Sequence, residues 1–181
     1  MPGRAQVEVR VGGESIPRRS EWYPASYLAN EVLGGRPLLA RLFQRVREVH
    51  GLAYHASSEL ESMRWGGYWS VQAGTGPERV DRVLPMITEE LERLRTELVP
   101  SAELDSVRES VIGEIPLSLE TSSGAHELLM DVAYHDLPGD FYRTWPERLR
   151  ALKAVDLRRG AEEALDATQA STVVAGPVGE G

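Results

Sequence analysis

Residues 5–11 alternate without a break: Ala5, Val7, Val9 and Val11 are apolar, while Gln6, Glu8 and Arg10 between them are polar. Successive side chains of a strand point to opposite faces, so this segment reads as a strand with one dry face and one wet face. Such a strand needs cover on one side only, and the rest of the chain has to supply it. The second face of the sheet is then left for water, a cavity or a partner.

The covering layer is written at a different period. Val80, Val83, Leu84, Ile87, Leu91, Leu94 and Leu98 recur at helical spacing and predict a long amphipathic helix, bent near Pro85. Pro24 opens an earlier helix carrying Tyr27, Leu28 and Val32 to a stop at Gly34-Gly35. A second follows from Pro37, with Leu39, Leu42, Phe43 and Val46 inward, Arg41, Arg45 and Glu48 opposite, and Gly51 at its end. Pro100-Ser101 starts a helix whose one face is Leu104, Val107, Val111, Ile112 and Ile115, and the next helix bears Ala125, Leu128, Leu129 and Val132. Two shorter helices are expected near 140–151 and 155–166.

Residues 52–62 and 66–74 predict an antiparallel hairpin turning around Met63-Arg64, and 171–175 a last strand. Gly12, Gly13 and Pro17-Arg18-Arg19 are expected to form a loop. With no internal repeat or linker, residues 1–181 are expected to form one α+β domain. Its architecture would be two-layered, a mostly antiparallel sheet with helices packed on one face.

Several kinds of chemistry are disfavoured. The chain has 20 Lys+Arg against 28 Asp+Glu, a net charge of −8, which opposes binding to the phosphate backbone of nucleic acid. It has no cysteine, hence no disulfide, thiolate zinc site or thiol nucleophile. No window resembles a membrane span and the first residues contain no apolar signal-type segment, so a soluble, cytoplasmic chain with no membrane partner is expected.

The histidines are His50, His55, His126 and His135. His126-Glu127 begins like H-E-x-x-H, but Met130 stands where the second His belongs, and H-x-x-E-H occurs nowhere. No metal site and no cofactor are expected in this chain. Gly66-Gly67 and Gly74-x-Gly76 lack the Lys of a phosphate loop, and there is no G-x-S-x-G. Glu89-Glu90 and Glu162-Glu163 are expected on solvated helix faces.

The stretch from Asn30 to Tyr54, NEVLGGRPLLARLFQRVREVHGLAY, is more specific. It resembles the second-domain segment of the pitrilysin/insulinase family of zinc metallopeptidases, in the processing-protease branch. That family shows an Asn, then Leu-Gly-Gly, Ser-Arg-Leu-Phe, Val-Arg-Glu and Gly-Leu-Ala-Tyr. The resemblance continues through Gly67-Tyr68-Trp69, Glu103-Leu104, Ser118-Leu119-Glu120-Thr121, Ala154-Val155-Asp156-Leu157 and Val173-Val174-Ala175-Gly176, covering about residues 6–176. Ala40 stands where the family usually has Ser, and Val155-Asp156 lacks the Thr that often precedes the last helix.

The resemblance implies the C-terminal, non-zinc domain of a zinc metalloendopeptidase, not a peptidase on its own. Zinc would sit on an H-x-x-E-H-bearing partner domain or subunit, as in a heterodimer, and the two would enclose a peptide substrate. The family's Arg and Tyr, seven residues apart, fall on Arg47 and Tyr54. Attack on a peptide carbonyl builds negative charge on its oxygen, and a guanidinium and a phenol can both donate hydrogen bonds to such a group.

Helical projection sets Arg47 at the edge of the apolar stripe, near the C-terminal end of its helix, where a cation also suits the helix dipole. Tyr54 shares strand parity with Leu52, Ala56 and Leu60, which predicts a packed ring. The resemblance also leaves a peptidase-related structural or assembly module, with no proteolytic role, as the alternative.

Overall fold

The computed structural model describes residues 6–36, 38–49 and 51–176, and of residues 47–49 the backbone alone. Ala5, Pro37 and His50, named above, lie outside the described residues.

Among the described residues four strands form one antiparallel sheet in the order β2-β3-β1-β4: β1 Val7–Ser15, β2 Ala53–Ser62, β3 Gly67–Thr75 and β4 Ser171–Ala175. The alternation of β1 survives, with Val7, Val9 and Val11 buried. β1 runs on through Gly12 and Gly13, so the expected loop starts later. The two glycines are strand residues facing β3, and a Cβ on Gly12 would stand 2.6 Å from the Trp69 carbonyl oxygen.

Among the described residues six α-helices accompany the sheet: α1 Tyr23–Asn30, α2 Val80–Thr96, α3 Ser101–Leu119, α4 Ser122–His135, α5 Phe141–Ala151 and α6 Ala154–Ala164. α2 continues through Pro85. Leu28 of α1, Ile87, Leu91 and Leu94 of α2 and Leu157 of α6 are fully buried in one cluster with Trp69, Val71 and Ala73 of β3. Each such side chain contributes about 1.5–3 kcal/mol by leaving water. α1 and α6 also meet through a polar contact, the Ser26 hydroxyl donating to the Gly160 carbonyl at 2.8 Å. The start of α6 is held by Asp156, whose carboxylate accepts from the Lys153 amide at 2.7 Å. This carboxylate caps the helix that lacks the family's Thr.

α3 buries Leu104, Val107, Val111 and Ile112 as its spacing predicts. α4 departs from expectation. Thr121 caps it by accepting from the Gly124 amide at 3.0 Å, but His135 is the one buried residue along it, and Leu129 is 69% exposed. A charged anchor holds α4 to its neighbours: Asp131 accepts from Arg18 at 2.8 Å and from the Tyr142 hydroxyl at 2.6 Å. The Arg18 guanidinium in turn lies 3.9 Å from the centroid of the Tyr23 ring.

Candidate functional site

The segment between α1 and β2 does not continue as regular helix. α1 passes into a π-helical turn, Glu31–Gly35, and a second π-helical turn spans Phe43–Val49, where an ordinary helix is expected from Pro37. Gly34 explains part of this path, because its backbone lies against β2 and a Cβ there would stand 2.3 Å from the Ser58 amide nitrogen. The first glycine of the Leu-Gly-Gly motif is therefore a close approach of backbone to backbone, while a Cβ on Gly35 would meet the Glu31 carboxylate.

Three arginines tie this segment to the helices beside it. Arg36 donates to Glu31 at 2.7 Å and to both carboxylate oxygens of Glu114 on α3. Arg41 makes a two-pronged pair with Glu103 on α3, at 2.7 and 2.9 Å. Arg45 donates to Glu89 on α2 at 2.8 Å and to Glu90. One sequence expectation is thereby corrected. The face of Arg41 and Arg45 meets the carboxylates of α2 and α3, and Glu90 is only 1% exposed, not solvated. Burial works against the charge of Arg36, but the bond to Glu114 and the neighbouring Glu31 more than offset it, and its pKa is raised. Burial likewise pushes the Glu31 carboxyl up, against the opposing pull of Arg36.

The junction into β2 is closed by three hydrogen bonds. Gly51 turns the chain at φ +59°, and its carbonyl accepts from Arg79 at 2.8 Å. The Leu52 amide donates to the Val46 carbonyl at 3.0 Å, and the Leu52 carbonyl accepts from the buried Thr75 hydroxyl. Immediately afterwards the ladder slips: Ala53 pairs with Thr75 and His55 with Gly74, so Tyr54 is an extra residue in β2. Bulges re-aim side chains in this way. Parity with Leu52 predicts a packed ring, but the bulge shifts the phase and Tyr54 is 50% exposed. Beyond it Ala56, Ser58 and Ser62 are buried, while His55, Ser57, Glu59 and Glu61 fall on the alternate positions. Arg47 belongs to the π-helical turn Phe43–Val49, and its side chain lies outside the described residues.

Register brings the wet side chains of three strands into rows. Arg10, Gln72 and Ser57 lie abreast, and Arg10 donates to Gln72 at 2.9 Å while Gln72 donates to Ser57 at 3.1 Å. His55 Nε2 approaches Glu8 Oε1 at 3.4 Å. A depression of about 900 Å³ opens over this side of the sheet, lined by Arg10, Glu14, Glu59, Tyr68, Ser70 and Gln169. The charge of Glu59 holds the Tyr68 phenol up in its neutral, hydrogen-donating form. Sequence reasoning did not name this set. Its signal was present in the alternation of β1 and the hairpin, but pairing the rows requires the register.

A face with both charge signs and many donors and acceptors suits an extended polar chain such as a peptide backbone. Among the described residues no three His, Asp or Glu side chains converge as metal ligands. His126 is exposed on α4, and His135 is buried with Nε2 3.5 Å from Asp131.

Comparison with known proteins places this geometry in context. The sequence model of the peptidase M16 inactive domain matches residues 2–111. An uncharacterized zinc protease of Bacillus subtilis, YmxG, is 34% identical over 136 residues, which are 72% of this chain and 31% of that protein. An uncharacterized zinc protease of Mycobacterium tuberculosis is 36% identical over 118 residues, 65% of this chain and 27% of its own length. The chain thus spans about a third or less of the relatives it matches. In fold it is similar to the crystal structure of a peptidase M16 inactive domain from Pseudomonas fluorescens, with a TM-score of 0.85 at 22% identity, covering 96% of this chain and 41% of that one.

Proposed function

We propose, because the chain belongs to the peptidase M16 inactive-domain family, that it is the non-catalytic half of a zinc metalloendopeptidase. In this reading the wet face of the sheet is one wall of an enclosed peptide-binding chamber. Tyr54, at the start of β2, and Arg47, in the preceding turn, bind the substrate in that chamber. The zinc, on an H-x-x-E-H-bearing partner domain or subunit, supplies the activated water.

The observation that carries the reading is the bulge at Tyr54. It takes an aromatic ring out of the buried row of an otherwise regular strand and leaves it half exposed, beside a face rich in hydrogen-bonding groups. The phenol O–H is then free to donate to a peptide oxygen. The row of Arg10, Gln72 and Ser57 offers further partners to an extended chain. A donor aimed at the developing oxyanion is worth about 3–4 kcal/mol of barrier. A guanidinium from the preceding turn would add charge to the same task.

The experiment is peptide cleavage by this chain co-expressed with an H-x-x-E-H-bearing partner. Tyr54→Phe should lower kcat more than tenfold without changing the melting temperature, since only a solvent-facing hydroxyl is removed. Turnover equal to wild type would sink the role of Tyr54. An assembly that forms but never cleaves would favour the structural-module alternative.

A further inference from the structure

Glu90 is a carboxylate in the middle of α2 with almost no contact with solvent. One of its oxygens accepts from both Arg45 and Arg93, the latter at 3.0 Å, and the other oxygen is buried with no partner. Burying a charge in this way is expensive. Replacing such a pair by apolar groups of similar volume is often neutral or stabilising, so stability alone does not account for it. What the ion does in this fold is visible from its neighbours along the chain.

Arg45 lies in the π-helical turn Phe43–Val49, two positions before Arg47. The next residue, Val46, is fully buried, and its carbonyl accepts the Leu52 amide. Leu52, two positions ahead of the bulged Tyr54, is in turn bonded through its carbonyl to Thr75. A short chain of contacts therefore runs from Glu90 through Arg45 and Val46 to Leu52 and the bulge. π-Helical turns are rare and occur mostly as short insertions, so this one needs tertiary contacts to persist.

We infer that Glu90 is a positioning residue for the Arg47/Tyr54 pair, fixing through Arg45 the turn that carries one and launches the other. This rests on the peptidase reading for its consequence in catalysis, but not for its structural content.

Two arms separate the two claims. In the isolated chain, Glu90→Met removes the acceptor at similar volume and leaves Arg45 its exposed partner Glu89. Arg45→Met tests the same link from the other side. Hydrogen exchange at the Leu52 amide should quicken at least tenfold in both variants, with the amides of β1 and β3 within twofold of wild type. An unchanged Leu52 rate, or equal acceleration throughout the sheet, would overturn the inference.

In the cleaving assembly, Glu90→Met should lower kcat at least fivefold with KM within twofold and the melting temperature not reduced. Wild-type kcat in this variant would overturn the positioning role while leaving the peptidase reading intact. If the wild-type assembly does not cleave, the peptidase reading fails and the exchange arm still decides the role of Glu90.

Discussion

His135 shows how a residue outside the candidate site can govern the response of this fold to acid. Its ring is buried at the end of α4, edge-on to Tyr134 at 4.8 Å, and Nδ1 has no hydrogen-bond partner. Burial lowers its pKa; Asp131 and Glu61 pull the other way, and Arg18 and Arg64 add to the depression. The unfolded chain therefore takes up the proton first. Stability is present above the unfolded value of about 6.5 and is lost as pH falls below it toward the folded pKa. The urea midpoint should drop between pH 7 and pH 5, and His135→Gln should make that drop smaller; an equal drop in the variant would remove His135 as its source. Nothing in the sequence marked this histidine, because the charges that act on it besides Asp131, those of Arg18, Glu61 and Arg64, are far away along the chain. Tyr54 failed for a related reason: strand parity presumes a regular ladder, and a single inserted residue reverses it.

At the scale of elements, the legible parts are those whose burial is apolar. The hairpin, α2, the first half of α3 and α6 appear where alternation or helical spacing puts them, since the pattern of leucines and valines is itself a record of the dry face; β4 lies where expected although all five of its residues are exposed. The segment from Glu31 to Val49 is legible as helical but not as π-helical, and the carboxylates of α2 and α3 that meet its polar face are not legible at all. Hydrophobic periodicity carries no signal for burial by ion pairing. The glycine motif carries one, which the packing makes physical. Gly34→Ala would drive a methyl into the backbone of β2 at Ser58, where no side chain can swing aside. Overpacking of this kind costs about 1–3 kcal/mol, occasionally more. The variant should lose at least that much in urea unfolding, with faster exchange in β2 next to Ser58. A stability within about 0.5 kcal/mol of wild type, the usual range for surface substitutions, would mean that the two backbones are not held as close as described.

Across the whole molecule, the first and last described strands close the structure. β1 lies inside the sheet between β3 and β4, so the three strands supplied by residues 7–75 are completed by one from the last described residues. α1 and α6 repeat the arrangement in the helical layer through Ser26 and Gly160. A fold stitched in this way should unfold as one unit, although at 181 residues it exceeds the size at which two-state behaviour is the rule. Two buried tryptophans test it from opposite places: Trp69 sits in β3 against the core, and Trp145 lies in α5, its ring centroid 5.0 Å from that of Phe141. With the other tryptophans replaced by Phe, variants retaining Trp69 alone or Trp145 alone should give the same denaturant midpoint as the loss of helical circular dichroism. An earlier transition at Trp145 would mean that the outer helices melt as a separate unit and that the one-domain reading is wrong. The distinction matters for the proposed chamber. Glu90, Arg45 and Tyr54 can keep a fixed geometry toward a partner only if α2 and the sheet stay folded together, which a shared midpoint requires and a split transition at α2 would deny.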